Sequence, residues 1–124
     1  MDYDQFVATV ARRSGLPKEE AADLARATLR VLSERLSGGE AEDLAAQLPR
    51  PLQSWLRTPV EQARRFGLEE FVIRVSDRAD LDAITAWTGV RAVLTTVRDA
   101  VTGGEFDDIM AQLPREFDEV LQAS

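Results

Sequence analysis

Apolar residues recur along the chain at spacings of three and four, which predicts helices from end to end with few or no strands. Phe6, Val7 and Val10 follow Asp2 and Gln5, whose three-residue spacing is that of a capping box, and predict a first helix over about 3–13. Ser14-Gly15 ends it, because glycine readily takes the left-handed conformation that stops a helix. Leu16-Pro17 opens the next element, with mostly negative charge in its first turn at Lys18-Glu19-Glu20. A stripe of Ala21, Leu24, Ala25, Thr28, Leu29, Leu32 and Leu36 makes that helix long, about 18–36, with a small-residue face suited to close packing.

Ser37-Gly38-Gly39-Glu40 then predicts a reciprocal cap in which Ser37 and Glu40 each satisfy the other's backbone amide. The paired glycines are expected to let one helix run into the next with almost no loop. Leu44 and Leu48 face the core from helix three. Pro49 breaks it by pushing Leu48 out of the helical region, and Leu52, Trp55 and Leu56 give helix four a buried face.

The same plan occurs twice. At an offset of 65 residues, segments 37–56 and 102–121 agree at ten of twenty positions, including Gly38, Gly39, Glu40 and Pro49 against Gly103, Gly104, Glu105 and Pro114. Thr102 stands for Ser37 in the second cap. Phe71, Val72 and Val75 repeat Phe6, Val7 and Val10, and Asp82 replaces Pro17 as a better N-cap. A duplication explains this most simply. It predicts an all-α fold of eight helices, as two four-helix units packed with pseudo-twofold symmetry. The first repeat is 1–58, the linker 59–66 and the second repeat 67–124, together one compact domain.

The halves differ where bulk changes. Gly89 stands where the first half has Leu24, Trp87 replaces Ala22, and Phe106 with Met110 replace Ala41 with Ala45. These larger groups either fill the joint between halves or line a ligand pocket. Trp55, Trp87, Gly89, Phe106 and Met110 are therefore the candidate interaction or pocket residues, and whichever tryptophan is exposed is the better contact candidate.

Composition narrows the chemistry. Histidine and cysteine are both absent, which removes the commonest general base, the commonest metal ligand and any thiolate site. Lys18 is the only lysine, so no Ser-His or Ser-Lys arrangement exists and a catalytic role is disfavoured. The net charge of −7 lies almost wholly in the second half and would repel a phosphate backbone. No long apolar run suggests a membrane span, and the acidic Met1-Asp2-Tyr3-Asp4 start lacks the plan of a secretory signal, so the expected location is the cytoplasm.

Glu40 with Asp43, and Glu105 with Asp108, lie three apart on one helix face and form the one carboxylate arrangement that could hold metal. The capping role of Glu40 and Glu105 and the missing histidine weigh against it, and neither a metal nor a cofactor is expected. Arg12-Arg13, Arg64-Arg65, Arg50 and Arg115 read as solvated faces and ion pairs, without the aromatic interleaving of a nucleic-acid surface.

With both Gly-Gly-Glu motifs in hand, the chain resembles a bacterial family, domain-of-unknown-function family 2267. The residues that carry the likeness are Tyr3-Asp4-Gln5-Phe6, Leu32 to Ala41, Asp43 to Pro49, and the echo from Gly103 to Pro114. It covers essentially the whole chain. It implies a small helical cytoplasmic protein, loosely associated with stress settings, with no catalytic residues to carry over. The function expected is that of a non-catalytic helical binding or scaffold protein, acting on a protein partner or by self-association. The alternatives are a carrier or sensor of a small apolar ligand held between the repeats, and a nucleic-acid-associated protein.

Overall fold

The computed structural model describes residues 1–56 and 65–122. Among these residues it contains eight α-helices, one 3-10 turn and no strands. The linker predicted over 59–66 lies mostly outside the described residues; of it, Arg65 and Phe66 are described.

Helix α1 is Tyr3–Ser14, and its start is the predicted capping box: Asp2 Oδ1 accepts from Gln5 N at 2.8 Å and Gln5 Oε1 accepts from Asp2 N at 2.9 Å. Gly15 ends it at φ 77°, in the left-handed region that favours glycine. Helix α2 is Lys18–Arg35, and α3 is Gly38–Gln47. The break at Pro49 is present, with Leu48 in extended conformation before it. Helix four is shorter than its apolar spacing suggested: α4 is Arg50–Gln53, and a 3-10 turn over Ser54–Leu56 carries Trp55 and Leu56 into the core.

The second half comprises α5 (Leu68–Ala79), α6 (Ala83–Ala100), α7 (Gly103–Ala111) and α8 (Glu116–Gln122). Asp82 caps α6 as expected, accepting from Thr85 N at 2.8 Å. Gly67 cannot cap α5 with a side chain, so Glu116 of α8 supplies the oxygen, accepting from Leu68 N at 2.5 Å. That contact ties the last helix to the start of the fifth.

Helices of one half pack on helices of the other. Helix α1 lies against α2 and α6, α5 lies against α2 and α6, α2 crosses α6, and α3 meets α7. Phe6, Phe71 and Phe117 are fully buried, and Phe71 meets Phe117 edge-on at 5.3 Å between ring centres. Burying each of these rings is worth about 1.5–3 kcal/mol.

Several contacts across the halves come in equivalent pairs at the 65-residue offset. Arg13 pairs with Asp99 at 2.5 Å, while Arg78 pairs with Glu34 at 2.7 Å. Ser37 N donates to Gln112 Oε1 and Thr102 N donates to Gln47 Oε1, both at 2.8 Å.

These last two bonds correct the expected cap. Ser37 and Thr102 do accept from the amides of Glu40 and Glu105, at 3.3 and 3.2 Å. The return half of each box is taken by a glutamine from the other repeat, so neither glutamate carboxylate is needed there. The glycine expectation also changes. Gly38 and Gly39 form the first turn of α3 without positive φ, so helix two gives way to helix three without using glycine's conformational freedom.

Candidate functional site

Among the described residues, the outward side of α6 carries two exposed large hydrophobic side chains. Ile84 is 81% exposed and Trp87 42% exposed, three residues apart and so on one side of the helix. The Asp82 cap holds this turn: Thr85 donates to it through both N and Oγ1, and the Asp82 carboxyl sits below its ordinary range because of those bonds.

Further along the same side come Thr88, Arg91, Thr95 and Arg98, and Arg13 reaches over from α1. Arg13 Nη1 donates to Thr95 Oγ1 at 3.2 Å and to Thr96 Oγ1 at 3.3 Å, while its Nη2 pairs with Asp99. Together these residues line a cup of about 320 Å³. Arg91 Nε faces no acceptor among the described residues although the atom is buried.

The corresponding face of α2 reads differently. Glu19, Ala22 and Asp23 occupy the positions of Ile84, Trp87 and Thr88. The cup there includes Asp23 and Asp80 beside Arg26, Arg30 and Arg78, so its arginines have acids among them. On α6 an acid has become isoleucine, an alanine tryptophan and a second acid threonine. The result is an apolar step running into three lining arginines, on a protein of net charge −7.

A second cluster forms where α3 meets α7. Glu40, Asp43 and Glu105 each offer a carboxylate oxygen, and these oxygens lie within 4.8 Å of one another. Glu105 is only 8% exposed, and Glu105 Oε1 and Glu40 Oε1 are both buried at this junction. The Glu105 carboxyl is pushed up to about 7. Burial is the main cause, followed by a hydrogen bond to Glu40 and by the charges of Glu40, Asp43 and Asp108. The sequence motif pairs Glu40 with Asp43 along one helix; the meeting of Glu40 with Glu105 is set by tertiary structure. Its signal in the sequence was the repeated glutamine, Gln47 and Gln112, that frees both carboxylates.

Residues 3–120 match the family model of an uncharacterized conserved protein, DUF2267. The chain belongs to the DUF2267 family. No curated protein matches it. The family description assigns no activity, so what this DUF2267 protein does is argued from its surfaces.

The five candidate contact residues do not converge. Trp55 is buried in the first half, with its ring edge-on to Tyr3 at 6.2 Å and the Arg26 guanidinium 5.4 Å from its centre. Gly89 is buried beneath Leu24. Phe106 is buried on α7, with Met110 half-buried one turn along. Trp87 alone of the five is exposed. Among the other arginines singled out, Arg12, Arg50 and Arg115 are exposed, and Arg64 lies outside the described residues. Among the described residues no helix is long and apolar enough to cross a membrane.

Proposed function

We propose that this DUF2267 protein is a non-catalytic binding module whose contact surface is the outward side of α6, from Ile84 to Arg98, with Arg13 beside it. The observation that carries the reading is the exposure of Trp87 and Ile84 on adjacent turns, leading directly into an arginine-lined cup. Tryptophan and arginine are the residues most enriched where binding energy concentrates. Such a surface suits a protein segment that presents an aliphatic or aromatic anchor flanked by carboxylates. The absence of histidine and cysteine from the whole sequence supports a non-catalytic role.

The remainder of the molecule serves as a scaffold of two duplicated units. The paired cross-contacts Arg13–Asp99 with Arg78–Glu34, and Gln112–Ser37 with Gln47–Thr102, support the duplication. The carrier reading loses support at Gly89, where Leu24 already occupies the space an apolar ligand would need. The net charge of −7 continues to weigh against nucleic acid.

The test uses Trp55→Phe, which leaves Trp87 as the sole reporter of its surroundings. The probe is a synthetic amphipathic peptide with leucine and phenylalanine on one side and aspartate and glutamate on the other. A saturable blue shift in Trp87 emission, weakened by salt and by Arg98→Glu, is expected. An unchanged spectrum, or a shift produced equally by a single-stranded oligonucleotide, would remove the proposal.

A further inference from the structure

Two cups stand at equivalent places on α2 and α6, and they differ in charge. At the 65-residue offset Arg78, Asp23 and Arg26 of the α2 cup match Arg13, Thr88 and Arg91 of the α6 cup. On α2, Arg26, Arg30 and Arg78 face three carboxylates: Asp23 and Asp80 line the cup, and Glu34 pairs with Arg78 at 2.7 Å. On α6 both lining acids are gone, because the chain has Thr88 and Gly15 at the positions of Asp23 and Asp80. Arg13, Arg91 and Arg98 are left with Asp99, on Arg13, as the one acid among the described residues that lines or pairs with this cup. Arg91 Nε is moreover buried and meets no acceptor among the described residues, and an unmet buried donor is costly. The α6 cup therefore holds three guanidiniums against one carboxylate, and an unused donor.

Resting on the reading of α6 as the contact surface, we propose that the cup receives a phosphate monoester carried by the partner segment, a phosphorylated serine or threonine close to the apolar anchor. Such a group bears about −1.5 to −2 charge at neutral pH, which matches the positive excess of the cup. A side-chain carboxylate brings one negative charge, and a phosphodiester one per phosphate, so either leaves a guanidinium unanswered. Arginine also suits the oxygens of a phosphate, because its planar fork of N–H groups engages them two at a time. The threonines contribute shape more than donors: Thr88 Oγ1 already donates to Ile84 O at 3.3 Å and Thr95 Oγ1 to Arg91 O at 2.8 Å. The apolar step beside the cup selects a peptide over a free phosphate ion. Ile84 and Trp87 are centred about seven residues before the cup on α6, roughly 11 Å along the axis at about 1.5 Å per residue, a span that an extended peptide covers in about three residues.

The experiment is calorimetric titration of the full chain, at about pH 7.5, with synthetic peptides that share a leucine-phenylalanine anchor and carry serine, aspartate or phosphoserine about three residues from it. The phosphoserine peptide should bind at least tenfold tighter than the serine peptide and clearly tighter than the aspartate peptide. That gain should shrink as pH falls below about 6, where the phosphate takes up its second proton. Thr88→Asp places at an exposed position the acid that Asp23 supplies on α2, and should remove most of the gain with Tm unchanged. Arg98→Glu, also exposed, should do the same. If the aspartate peptide binds as tightly as the phosphoserine peptide, the phosphate assignment fails while the α6 surface stands; if no peptide binds, both fail. Undiminished gain in Thr88→Asp would also overturn the assignment to this cup. Inorganic phosphate binding as tightly as the phosphoserine peptide would overturn the peptide source, and a single-stranded oligonucleotide doing so would overturn the preference for a monoester.

Discussion

Leu24 packs directly onto Gly89, and the two positions are equivalent at the 65-residue offset. A Cβ on Gly89 would stand 2.7 and 2.8 Å from the two terminal carbons of Leu24, a side chain that is fully buried. At this crossing of α2 and α6 there is room for one leucine, and the halves divide the space unequally. Gly89→Ala gains about 1 kcal/mol of helix propensity but overpacks the crossing at a cost of about 1–3 kcal/mol, so it lowers stability. Gly89→Leu lowers it more. The exchange Leu24→Gly with Gly89→Leu should recover much of that loss, measured by denaturant unfolding of the four proteins as a cycle. Additive losses in the exchanged protein would contradict the proposed equivalence of the halves.

The glutamine caps make a second test. Gln112 takes its place partly because Arg35 Nη2 donates to its carbonyl oxygen at 3.0 Å. Gln112→Ala and Gln47→Ala should each cost about 1 kcal/mol, the net worth of one hydrogen bond to a helix's first amide. The partly exposed ion pairs Arg13–Asp99 and Arg78–Glu34 should contribute less, about 0–1 kcal/mol, and fade with salt.

Glycine at the starts of α3 and α7 runs the other way. A Cβ added at Gly39 or Gly104 meets nothing within 4 Å, and neither residue has positive φ. Gly39→Ala and Gly104→Ala should each raise stability, by up to about 1 kcal/mol, seen as a higher Tm. The structure gives no reason for glycine at these positions.

The Glu105 carboxyl makes stability depend on pH. It is raised from its ordinary 4.5 to about 7, so between these values the folded state keeps a proton that the unfolded state has released. Folding is therefore favoured at the acid end, and this contribution declines as pH rises from about 4.5 to about 7. Glu105→Gln should flatten that segment of the stability curve. The facing groups Glu40, Asp43 and Asp108 all act on it in the same direction.

Much of the architecture is legible locally. The Asp2–Gln5 box, the Gly15 stop, the Pro49 break and the Asp82 cap depend on neighbours a few residues away, and all occur where spacing predicts them. What local spacing misses is set by partners far along the chain. Ser37 meets Gln112 and Thr102 meets Gln47 across 75 and 55 residues, which converts two predicted reciprocal caps into half caps. Trp55 and Trp87 look alike as members of helical stripes. The packing of Tyr3 and Arg26 around Trp55, with no ring or guanidinium against Trp87 among the described residues, separates core from contact surface. Helix four shortens because its apolar residues are satisfied by a 3-10 turn under α2.

The central claim is that one face of α6 is where this protein meets its partner. Amide chemical-shift mapping during titration with the acidic amphipathic peptide tests it residue by residue. The account predicts that the perturbations concentrate between Ile84 and Arg98 and at Arg13, leaving the corresponding face of α2 from Glu19 to Ser33 unmoved. Perturbations spread evenly over both faces, or confined to another surface, would contradict it.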